Sequence, residues 1–210
     1  HTQTDRAQTL MYNLIRGTGT DGLQSLTWKR TLAPGIDLVR PLLDISRDRT
    51  HQFCQQQGLT IWEDSTNQDL KYARNRIRQE LFPYLQTHFN PQAEVAIART
   101  AEILRAEVEY LEEQAGVLLE RALHKEVAST GDESFAPKLD RQILRQAPLA
   151  LQRRAIRQFL SATLPHASNC EHIEKLVALI DAPNRSRTDP FPGGAIAEVK
   201  GDWIVLGGRW

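Results

Sequence analysis

Between Ala93 and His124, apolar residues recur at Val95, Ala98, Ala101, Leu104, Val108, Leu111, Ala115 and Leu118, a near three-four-three spacing. That period lays one apolar stripe along a long helix, which must pack on other helices or link two lobes. The character of the chain changes after Pro91. The expected organisation is therefore a first part over residues 1–90, a linking helix over 91–128 and a third part over 129–210.

The first part alternates helix and strand. Thr4 to Arg16 reads as a helix stopped by Gly17 and Gly19. At about 100° per residue, Ala7, Leu10, Met11, Leu14 and Ile15 share an apolar face. His1, Asp5, Gln8, Thr9, Tyr12 and Arg16 collect on the opposite one, with Asp5 and Arg16 pointing nearly the same way. Ile36–Val39 reads as a short strand, and Ser46 as the N-cap of a helix through Gln57 that Gly58 stops. Leu59–Trp62 reads as a second, buried strand, and this β-α-β order suits the end of a parallel sheet. A helix from about Ala73 to near Pro83 carries an arginine cluster.

Past the long helix, Ser129–Pro137 reads as a loop, followed by helices near Asp140–Gln146, Leu149–Ala162 and Glu171–Ile180. The tail alternates over Ala195–Val199 and Trp203–Leu206 about a Lys200-Gly201-Asp202 turn, as a β-hairpin does. The fold class expected is an α/β N-terminal part followed by a mainly helical domain ending in that hairpin.

Lys plus Arg equals Asp plus Glu, 26 of each, which argues against a strongly basic nucleic-acid binder but permits a basic face. The cations do cluster, at Lys71, Arg74, Arg76 and Arg78, and again at Arg141, Arg145, Arg153, Arg154 and Arg157. Acidic residues concentrate from Glu94 to Glu133. No apolar run approaches the roughly 18 residues a membrane span needs, and no signal-peptide pattern opens the chain. Cys54 and Cys170 stand far apart without a CxxC, which reads as two buried thiols of a reducing cytoplasm and excludes a structural zinc site. The chain opens on His1, within an amphipathic pattern, and Met11 is its one methionine, so an upstream start is expected.

Four groups can carry chemistry. The polar face of the first helix holds His, Asp, Thr and Tyr rather than Lys and Glu, and runs into the Gly17-Thr18-Gly19 turn. A solvated face is one reading; a carboxylate and an arginine beside a turn that admits close backbone approach, suited to a cationic substrate or magnesium, is the other. Within Arg74-Asn75-Arg76-Ile77-Arg78, Arg76, Gln79 and Glu80 share a solvent direction, whereas Arg74 and Arg78 flank Ile77 and Leu81. Two inward arginines need an anion: a structural one among Glu63, Asp64 and Asp69, or a nucleotide phosphate. Glu63-Asp64-Ser65-Thr66-Asn67 is an acidic loop that capping explains as well as metal binding does. The arginines from Arg141 to Arg157 make a solvated helix face, or a weak tRNA contact where a nucleic acid is already suspected.

Taken in order, these segments resemble the tRNA(Ile)-lysidine synthetases, a PP-loop ATPase family. His1 to Thr9, continuing to Arg16-Gly17-Thr18-Gly19, is similar to that family's H-x-x-x-D-x-x-E-T … R-G-x-G segment. Arg40-Pro41-Leu42-Leu43-Asp44, Trp62 to Asn67 and Arg74 to Arg78 follow at similar spacing, and Phe191-Pro192-Gly193-Gly194 with the hairpin resembles its first C-terminal domain. The resemblance implies that residues 1–90 are the remnant of a parallel-sheet PP-loop domain of the adenine nucleotide alpha-hydrolase type. It implies ATP and Mg2+ as cofactors, and free L-lysine and a tRNA(Ile) with a CAU anticodon as partners. Lysine is joined to C2 of the wobble cytidine through an adenylated intermediate, in the cytoplasm, with a homodimer as one option and no membrane.

On this resemblance Asp5, Gln8, Arg74 and Arg78 are the catalytic candidates, with Asp5 a magnesium ligand as well, and His1, Arg16, Gly17 and Asn75 contact substrate or nucleotide. Two departures stand out. Gln8 replaces the family's glutamate, and the SGGxDS loop is absent, so the piece is expected to be inactive alone. The rivals are another PP-loop tRNA-modifying enzyme, such as a thiolase, and a non-catalytic tRNA-binding module.

Overall fold

The computed structural model describes residues 1–62, 65–124, 137–164 and 169–207, with Ser65 described in its backbone alone. The expectations for Glu63, Asp64 and most of the Ser129–Pro137 loop lie outside these residues. The chain divides into two compact units, His1–Val108 and Glu109–Trp210, with the division falling inside the long helix.

In the first unit, α1 (Gln3–Ile15) starts from a capping box between Thr2 and Asp5 and ends at Arg16. Gly17 follows with φ 75°, a left-handed stop that glycine adopts without Cβ strain. A one-turn helix α2 (Thr20–Leu23) leads to β1 (Lys29–Ala33) and β2 (Ile36–Val39), which pair antiparallel around Gly35. The segment after this hairpin runs under α1: Arg40 and Leu43 are buried, and the Gln3 N–H donates to the Ile45 carbonyl at 3.0 Å. Helix α3 (Arg47–Gln56) then starts at Ser46, whose hydroxyl accepts from the Arg49 N–H, as its sequence predicts.

The β-α-β expectation fails locally. β2 finds its partner in β1, its neighbour in sequence, and Leu59–Trp62 forms no strand; Leu59, Ile61 and Trp62 are exposed. A short apolar run reads as a buried strand only where a sheet receives it, and the described residues of this unit supply none beyond the β1–β2 hairpin.

After a 3-10 turn at Ser65–Gln68, a helical run passes through α4 (Ala73–Arg76), a π-helical turn (Ile77–Leu81) and α5 (Phe82–His88). It therefore continues past Pro83, where a stop is expected. The Phe82 N–H bonds five residues back to Ile77, and the widened turn accommodates a proline that would otherwise break the ladder. Ala7, Ile77, Phe82 and Ala98 form this unit's buried core, with Met11, Tyr12, Leu81 and Leu85 against it.

The α1 helix is turned relative to the face its sequence suggests. Ala7 and Leu10 are buried as expected, but Leu14 and Ile15 are 51% and 66% exposed while Gln8 and Thr9 are buried.

The long helix α6 spans Ala93–Ala122, as the apolar stripe predicts. In the second unit its last turns join a core with α8 (Leu149–Thr163), α9 (Cys170–Leu179) and a small sheet, centred on Ile156, Phe159, Leu160, Leu176 and Ile204. The sheet has the order β3 (Leu123–His124), β4 (Lys138–Asp140), β6 (Trp203–Gly207), β5 (Ile196–Lys200), all antiparallel. The β5–β6 hairpin turns at Gly201 as expected, and α7 (Arg141–Arg145) is capped by Asp140.

Candidate active site

Two helix starts meet at the polar end of the first unit. The Arg47 N–H at the head of α3 donates to Thr4 Oγ1 of α1 at 3.4 Å, and the same hydroxyl donates to Glu94 Oε1 at 2.6 Å. Beside this junction lies a cavity of about 300 Å³ lined by Thr2 and Asp5, by Arg47, Thr50 and His51 of α3, and by Trp62.

Asp5 is half-buried there. Its Oδ2 accepts from the Thr2 N–H at 2.7 Å and from the Thr2 hydroxyl at 3.1 Å, which fixes the carboxylate at the first turn of α1. Such a capping carboxylate both satisfies an orphan donor and sits at the positive end of the helix dipole. Oδ1 has no partner among the described residues and is available to a cation.

The other candidate residues are placed differently from one another. Arg78 is half-buried and donates from Nη2 to the Asn67 carbonyl at 2.6 Å; Asn67 itself lines the Asp5 cavity, so Arg78 stands directly behind that wall. Arg74 is exposed, which corrects the expectation that it faces inward with Arg78. The half-helical turn of α4 carries it to solvent with Arg76, and the inward position between them is filled by Asn75. Asn75 spends its amide on the Thr66 and Asp69 carbonyls at 2.8 and 2.9 Å, tying the 3-10 turn to α4. Lys71 hydrogen-bonded to Asp69 holds that carboxyl below its usual value and braces the same loop.

Asp5 and Arg16 do not share a site. Arg16 stacks on Tyr12 at 5.2 Å and donates to its hydroxyl at 3.1 Å, and both line a separate apolar cavity of about 530 Å³ with Arg76, Ile77 and Tyr84. Gly17 serves the helix stop, with its N–H on the Leu14 carbonyl. His1 accepts from Arg40 Nε at 3.3 Å through Nδ1. Gln8 is 6% exposed and its Nε2 has no partner among the described residues, so this position is too enclosed to hold a carboxylate without a large desolvation cost.

Two arginines that sequence reading passes over do more than those it selects. Arg6 is 2% exposed; it pairs with Glu102 at 2.8 Å and lies over the Trp28 ring at 5.2 Å. Arg40 is 8% exposed and bonds the Thr27 carbonyl as well as His1. Only their positions beside buried apolar neighbours hint at this, because an arginine's charge alone argues for solvent. Burial opposes ionisation of Glu102, but the Arg105 hydrogen bond and the charges of Arg6 and Arg105 outweigh it and hold the carboxyl below its ordinary value.

In the second unit the expected tRNA contacts are largely committed to the fold. Arg141 is buried and donates to the carbonyls of Ile180, Gly201 and Ala182, which corrects its reading as part of a solvated face or a weak tRNA contact. Arg145 pairs with Asp181, Arg153 with Glu174, and Arg154 and Arg157 both with Glu112. Cys54 and Cys170 are free, as expected, but half-buried and exposed rather than buried.

Residues 1–85 match the family model described as the PP-loop domain. The chain is 65% identical over 98% of its length to a tRNA(Ile)-lysidine synthase of Nostoc sp., and covers 62% of that protein. It is 50% identical over 97% of its length to one of Synechocystis sp., covering 61% of it. A chloroplastic one of Zygnema circumcarinatum is 33% identical over 89% of the chain. The chain thus spans less than two thirds of the length of these relatives.

Proposed function

We propose that this chain is part of a tRNA(Ile)-lysidine synthase, and that the whole protein joins free L-lysine to C2 of the wobble cytidine in a tRNA(Ile) with a CAU anticodon. The observation that carries the reading is identity of 65% over nearly the whole chain with a relative of that name. ATP would adenylate the cytidine O2 as the bond from its α- to its β-phosphate breaks and diphosphate leaves, and attack by the ε-amino group at C2 would then form the C–N bond as the C2–O bond breaks and AMP leaves.

Asp5 is the group we assign to the lysine amine. The residue lines a cavity, its Oδ2 is pinned and its Oδ1 has no partner among the described residues, so the carboxylate can orient an ammonium and receive its proton as the amine attacks. Arg78 is the stronger of the two arginine candidates for the negative charge of the α-phosphate, since it stands at the cavity wall. Asp5 would be the carboxylate that holds a magnesium ion, which would supply positive charge for the nucleotide phosphates; among the described residues no group of three His, Cys, Asp or Glu gathers to hold a metal alone. No described helix is long and apolar enough to cross a membrane. Two free cysteines accord with a cytoplasmic setting.

The test is transfer of labelled lysine by the whole protein to a CAU-anticodon tRNA(Ile) transcript with ATP, beside the Asp5→Asn variant. Incorporation by the parent and a loss of about a hundredfold or more in the variant is the expected result. No incorporation by the parent would overturn the assignment, and full activity in the variant would remove Asp5 from it.

A further inference from the structure

The Asp5 cavity holds a second charged group that the proposed reaction has not used. Arg47 opens α3 and lines the same space as Asp5, with an opposite charge. It is exposed, and its side chain makes no ion pair or hydrogen bond with any described residue, whereas Arg6, Arg40 and Arg78 each bond a named neighbour. The Thr50 hydroxyl and the His51 ring border it on the next turn of the same helix. The N-terminal ends of α1 and α3 also converge there, adding partial positive charge from two helix dipoles. Ile61 and Trp62 supply an apolar wall to the cavity.

A cavity lined by one carboxylate, one free guanidinium and apolar side chains matches a zwitterion carrying an aliphatic chain. We infer that Arg47 is a specificity-determining residue that takes the α-carboxylate of the amino-acid substrate while Asp5 holds the distal ammonium. The inference rests on the lysine reading of the Asp5 cavity and deepens it. Arg47 tells a free amino acid from an amine that lacks the carboxylate, and the volume of about 300 Å³ is commensurate with one such molecule. A guanidinium presents paired donors to a carboxylate, so the interaction is directional as well as charged.

The experiment is titration of this chain with L-lysine and with L-lysinamide, followed by calorimetry or amide chemical shifts, in the parent, Arg47→Gln and Arg47→Lys. The parent is expected to prefer L-lysine by about 10- to 100-fold, the scale of a charge-assisted pair. R47Q should erase that preference with lysinamide affinity unchanged, and R47K should restore part of it. The exposed side chain predicts an unchanged melting temperature for both variants. If R47Q keeps the preference, the inference fails while the lysine site stands. If the parent binds neither compound, the lysine reading of the cavity fails and the inference with it. If diphosphate displaces L-lysine and R47Q loses diphosphate instead, the guanidinium serves phosphate and the inference is overturned.

Discussion

At the scale of single residues, the contrast between Arg141 and Arg153 shows why a cluster of arginines is not yet a nucleic-acid surface. Arg141 gives its donors to three backbone carbonyls and is 7% exposed, whereas Arg153 meets Glu174 with both side chains about half exposed. Replacing Arg141 by Met leaves those carbonyls without donors, and unfolding by urea is expected to show a loss of about 3 kcal/mol. Arg153→Ala should cost under about 1 kcal/mol, as exposed pairs do. A urea midpoint for R141M equal to the parent's would refute the structural role. Sequence reading groups these two arginines because both belong to one cluster of cations on helices; what separates them is the Ile180–Ala182 turn and Gly201, which come from distant parts of the chain and leave no local signature. Asp5 is the opposite case. Its place at the third position after Thr2 is a capping pattern legible in four residues, and that pattern is what fixes it in the cavity.

Elements were legible where their periodicity and caps are local. The α6 stripe, the Ser46 cap of α3 and the β5–β6 hairpin all follow from short-range spacing. Leu59–Trp62 was misread because an apolar run takes its meaning from the sheet it joins, and α1 was misrotated because Gln8 and Thr9 are buried by neighbours far along the chain. Arg6 of the same helix is reached from far along the chain by Glu102 of α6, which also accepts from the Trp28 indole at 3.3 Å. Because the Glu102 carboxyl is held below its ordinary value of 4.5 in the fold, its ionised form is favoured by folding. Its stabilising contribution is therefore complete above about pH 4.5 and is lost as pH falls through the lower folded value. Acid titrations of the parent and Glu102→Gln should diverge in that window and run parallel above it. Parallel curves throughout would show that the pair carries no linkage.

The whole molecule is unevenly built. The second unit has a continuous core from α6, α8, α9 and the sheet, with Leu139, Leu144, Ile156, Leu160 and Leu176 fully buried. The first unit gathers a much smaller one around Ala7, Ile77, Phe82 and Ala98, while Leu32, Ile36, Val39, Phe53, Leu59 and Trp62 stay largely exposed. Stability follows buried apolar area, so local opening is expected to be cheaper in the first unit. Amide exchange should show protection in α8 and β6 exceeding that in α3 and the β1–β2 hairpin by about tenfold or more, a difference of about 1.4 kcal/mol. The candidate site rides on this weaker unit, and its defining contacts, Thr2 on Asp5 and Thr4 on Glu94 and Arg47, are few. A ligand that engages both Asp5 and Arg47 would join α1 to α3 and should slow exchange there selectively, leaving α8 and β6 unchanged. Equal protection across the two units without ligand would show that exposed apolar surface in the first unit is offset by order that burial does not capture.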